Sequence, residues 1–109
     1  METFIITAAM GILIAVIGVI NMSGNISSIH RYHRMKVTEA DIKPFGKLVG
    51  LGTLIIGISL VLYGTLYLAF NMTQNGLLLI LGAAELIVCI VIGLIISLYA
   101  MIKYNKGIF

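Results

Sequence analysis

The chain has 109 residues, 61% of them hydrophobic and only 10% charged, and its mean hydropathy is +1.15. A soluble domain carries about a quarter charged residues to keep its surface wet, so this composition excludes a water-soluble monomer. The net charge of +3 points to anionic inner-leaflet lipid rather than to a nucleic acid.

Three apolar runs, Phe4 to Met22, Leu48 to Phe70 and Leu77 to Ile102, fill most of the sequence. Hydrocarbon of roughly 30 Å needs about 20 apolar residues to cross as a helix, so each run predicts a membrane span. The fold class expected is all-α: an integral membrane bundle of three transmembrane helices, in one domain over residues 1–109. The first run follows Met1-Glu2-Thr3, which carries a negative rather than a positive side chain. That run exceeds a typical signal core, and no A-x-A-like site follows, so a retained span is expected rather than a cleaved signal.

The loop 23–47 divides into three parts. Ser23-Gly24-Asn25 signals a break, and Ile26 to Val37 predicts a short interfacial segment. Thr38-Glu39-Ala40-Asp41 resembles a capping box with Asp in place of Glu or Gln. Pro44 suits the first turn of the second span, which predicts a bend near Lys43 and then the long helix. Residues 71–76 form the outer turn, so short that the second and third helices run antiparallel.

All seven Lys and Arg lie in two places. Arg31, Arg34, Lys36, Lys43 and Lys47 follow the first span, and Lys103 and Lys106 follow the third. Short cytoplasmic loops collect Lys and Arg, so the N-terminus is expected outside and the C-terminus in the cytoplasm. The first five read as contacts to lipid headgroups.

Small residues recur at helical spacing. Gly11 and Gly18 mark the first helix, Gly50, Gly57 and Gly64 the second, and Gly82 and Gly93 the third. Helices in lipid associate by close packing, so these positions predict contact faces, chiefly within the chain itself. Glu85, the one charge inside the runs, sits between Gly82 and Cys89. It is expected to point into the bundle near mid-membrane, with Ser59 or Tyr63 as its partner and Gly11 close by. Such a carboxyl must be protonated and hydrogen-bonded, hold a cation, or face a second subunit.

His30 and His33 share one face of a helix, and Glu39 or Asp41 could add a ligand, but metal sites need more ligands at recognisable spacing, and interfacial anchoring explains the pair. No metal or other cofactor is expected. The lone Cys89 permits no internal disulfide, and the hydroxyls show no paired base, so no enzyme is expected either.

Gly24-Asn25, the basic Arg31 to Lys36 segment, Val37 to Asp41, and Phe45-Gly46-Lys47-Leu48 entering a glycine-rich span resemble the inner loop of small Gram-positive membrane families. Immunity proteins against the sporulation-delaying toxin are among them. The chain departs from that family in lacking its proline-tryptophan element, and no site is carried over. The resemblance implies a bacterial plasma membrane and a partner-binding or protective role.

The reading expected first is therefore a small membrane protein of interaction, immunity or accessory-subunit type, bound to another membrane protein or to itself. The second is an oligomeric proton- or cation-coupled transporter or channel using Glu85. An enzyme or metal protein built on His30, His33 and Asp41 ranks last.

Overall fold

The structure, a computed structural model, describes residues 1–27, 29 and 34–107. It is all-helical, with no strand among the described residues. Helix α1 spans Glu2–Met22, a 3-10 turn follows at Glu39–Asp41, α2 spans Ile42–Thr73 and α3 spans Gly76–Tyr104. All three α-helices are long and apolar enough to cross a bilayer, and they fit a multi-pass membrane protein.

The helices outrun the apolar runs that mark them. Glu2 falls in the first turn of α1, where a carboxylate favours the positive end of the helix dipole. Helix α1 ends where Ser23 donates its hydroxyl to the Ile20 carbonyl at 2.6 Å and Gly24 turns to φ +105°. Helix α2 starts at Ile42, ahead of the apolar run at Leu48, with Pro44 in its first turn as expected, where the missing N–H has no intrahelical partner to lose. Lys43 is therefore already helical, and the bend expected there sits at Glu39–Asp41 instead.

Thr38 and Asp41 do not form the reciprocal capping box. The Thr38 hydroxyl donates to the Asp41 carboxylate at 3.1 Å, leaving neither side chain to cap a backbone N–H. The outer turn is also shorter than residues 71–76. Helix α2 runs on to Thr73, Gln74 takes a left-handed φ of 58°, and Asn75 caps α3 by accepting the Leu77 N–H at 3.1 Å.

Helix α2 is central. Helices α1 and α3 each lie along it and scarcely touch each other, in a body 51 × 20 × 17 Å. On one side of α2, a Cβ added at Gly57 would lie 2.6 Å from the Gly11 carbonyl oxygen and 2.5 Å from the Ala15 nitrogen. Gly50 faces Gly18 on that side, and Gly64 faces Thr7. On the other, Gly52 faces Gly93, while a Cβ added at Gly82 of α3 would lie 3.4 Å from side-chain atoms of Leu66 and Tyr63. Counting 100° per residue puts these two faces roughly 150° apart around α2, so the helices form an open V rather than a closed triangle.

The densest packing lies at one end. Phe45, Val49 and Ala100 are buried there, and Ile26, Ile29, Val37, Leu48, Met101 and Tyr104 pack against them. Ile26, Ile29 and Val37 of the loop thus pack over the end where α1 and α3 finish and α2 begins.

Candidate functional site

Glu85 lies about 14 Å along α3 from Gly76, at 1.5 Å per residue. It stands about 60° round the helix from Gly82, at the edge of the face that meets α2 rather than at its centre. The residue is half-buried, both carboxyl oxygens are covered, and neither has a hydrogen-bond partner among the described residues.

The expected partners are engaged elsewhere. The Ser59 hydroxyl is buried and donates to the Ile56 carbonyl of its own helix at 2.7 Å. Tyr63 does not bond Glu85 and lies with its ring centroid 6.2 Å from that of Tyr67. Gly11 is not close by: it packs on Gly57 and Val61, on the other side of α2. The nearest cation further along α3 is Lys103, roughly 27 Å away along the axis.

The basic residues gather at the packed end. Lys36, Lys43, Lys47, Lys103 and Lys106 are exposed there, and Arg34 is half-buried with its Nε donating to the Ile29 carbonyl at 2.8 Å. Lys103 Nζ sits 5.3 Å from the Tyr104 ring centroid and 5.7 Å from that of Tyr99, a geometry that favours a cation over an aromatic face. Two asparagines tie this end together. Asn105, fully buried, accepts the Lys36 N–H at 2.7 Å and donates to the Gly107 carbonyl at 3.0 Å, and Asn21 donates to the Asn25 carbonyl at 2.9 Å.

His30, Arg31 and His33 lie outside the described residues. Among the described residues no three His, Cys, Asp or Glu come together as a metal site, and Cys89 is a free, half-buried thiol.

An open groove of about 630 Å³ runs between α1 and α2, lined by Ile12, Val16, Val19, Ile58 and Leu62 among others. Its one hydroxyl, on Thr65, is taken by the Val61 carbonyl at 2.9 Å. Such a lining suits an acyl chain and offers nothing to orient a polar ligand.

Gly52 and Asn105 were not among the positions expected to matter from sequence. Gly52 begins a second stripe with Ile56, Ser59, Tyr63 and Leu66, which helical spacing could have found. No local signal marks Asn105, whose partner lies far away in sequence. Comparison with protein-family models, with curated proteins and with solved structures finds no match.

Proposed function

We propose that this chain is a small integral membrane protein of interaction, immunity or accessory-subunit type, acting by association with another membrane protein or with a second copy of itself and catalysing no reaction. The proposal includes a bacterial cell membrane, an outer N-terminus and a cytoplasmic C-terminus against anionic lipid.

Several features support it. Large apolar side chains point outward along α1 and α3, with Ile12 57%, Ile80 66% and Ile87 64% exposed, which only an apolar solvent tolerates. The lysines cluster at the end where α1 and α3 finish, as a cytoplasmic face requires. The glycine faces are filled by the chain's own helices, so an associating partner meets α1 or α3 from outside.

The observation that carries the reading is the covered carboxyl of Glu85, unbonded among the described residues. A polar group that its own chain leaves unmatched in hydrocarbon costs several kcal/mol, roughly, until another molecule matches it. The test is a photo-crosslinking residue in place of Val88, one turn from Glu85, in cells making the full chain. Light should produce a covalent adduct with a membrane protein, weakened by Glu85→Leu; absence of any adduct sinks the reading.

The same carboxyl favours a second reading, proton- or cation-coupled transport by an oligomer. Flux into liposomes that continues unchanged in Glu85→Gln removes it, because glutamine cannot ionise.

A further inference from the structure

We infer that the group matching Glu85 is Glu85 of the partner subunit in a parallel pair of two copies of this chain, joined along α3. This rests on the association reading above and names its partner.

Leu81, Glu85, Val88, Ile92, Ile95 and Tyr99 succeed one another at steps of four, three, four, three and four. That is the spacing of a two-helix seam. The apolar members are all turned outward: Leu81 is 49% exposed, Val88 54%, Ile92 44%, Ile95 60% and Tyr99 54%. Among the described residues no helix covers the stripe, since α2 takes the Gly82, Gly93 and Ala100 side of α3 and α1 lies beyond α2. Glu85 is its one ionisable group in the apolar part.

A protonated carboxyl has one donor and a carbonyl acceptor, so it is its own complement: two of them exchange a pair of O–H···O bonds. Copies inserted in the same direction hold Glu85 at the same depth, and a two-fold axis brings like residues face to face. Any other partner would need a matching polar group placed independently at that height. Glu85 as a residue is only partly buried although its carboxyl oxygens are covered, so the pair requires a rotation about its side-chain torsions that brings the carboxyl to the seam. A single polar residue on such a seam also sets the register of the pair.

The test uses the full chain with Cys89→Ala in phosphatidylcholine–phosphatidylglycerol vesicles. Val88→Cys places a thiol on the seam, whereas Ile87→Cys, at a more exposed position, points about 160° away from Glu85. Mild oxidation should give a disulfide-linked dimer, twice 11.8 kDa, at Val88→Cys and little at Ile87→Cys. Adding Glu85→Leu should lower the dimer yield roughly tenfold, while Glu85→Gln, whose amide is also self-complementary, should retain it. Equal linking at both cysteines, an unchanged yield in Glu85→Leu, or equal loss in Glu85→Gln and Glu85→Leu overturns the inference. A monomer in vesicles whose Val88 adduct in cells is a different protein overturns the second copy and keeps the association reading. No adduct in either setting overturns both.

Discussion

Gly52 and Gly93 hold α2 and α3 backbone to backbone: a Cβ on Gly52 would lie 2.5 Å from the Gly93 carbonyl oxygen, and one on Gly93 2.6 Å from that of Gly52. The contact is reciprocal, so neither helix can accept a side chain there without moving off the other.

Substitution of Gly52 by Val should therefore cost about 1–3 kcal/mol, the range for overpacking a close contact. Gly76 is the internal control. A Cβ there meets nothing within 4 Å at the first residue of α3, so Gly76→Ala should be neutral or slightly stabilising. Unfolding of both variants in mixed micelles checks the contrast, and equal losses would contradict it.

Gly57 lies on the opposite side of α2, against Gly11 and Ala15. If α1 and α3 dock independently, the losses from Gly52→Ala and Gly57→Ala should add to within about 0.5 kcal/mol in the double variant. A strong departure in micelle unfolding would mean that α1 and α3 share an interface after all.

Phe45 is the largest fully buried side chain among the described residues, at the packed end of the molecule. Phe45→Ala should destabilise by about 3 kcal/mol through lost burial and the cavity left behind. Phe45→Leu should recover most of that, as read by thermal unfolding.

Asn105 receives the Lys36 N–H on its side-chain oxygen. Asn105→Ala removes that acceptor, a loss of about 0.5–1.5 kcal/mol felt chiefly by the loop. Trypsin cleavage after Lys36 should be several-fold faster in the variant, with the helices intact by circular dichroism; unchanged cleavage would show that the bond does not hold the loop.

For orientation, Gln74→Cys in a Cys89→Ala background should react with an impermeant maleimide added outside intact cells, and Lys106→Cys should react only after permeabilisation. The reverse pattern would invert the topology.

The number, order and antiparallel course of the helices were legible in the sequence. Runs of about 20 apolar residues broken by polar segments have few alternatives, and a connection as short as Gln74-Asn75 forces the chain back on itself. The glycines were legible as small residues, but their partners were not. A helix face turned to lipid and one turned to another helix are equally apolar, so hydropathy cannot separate them, and matching of shape decides. Only the tertiary structure put α2 between the other two, set Gly11 against Gly57 far from Glu85, and brought Asn105 to Lys36. It likewise left Glu85 at the edge of its helix contact without the Ser59 or Tyr63 bond that spacing suggested, because Ser59 donates within its own turn. The sequence by itself determined what could cross a membrane. Which surfaces the chain uses on itself, and which it leaves over, depended on how closely its backbones approach.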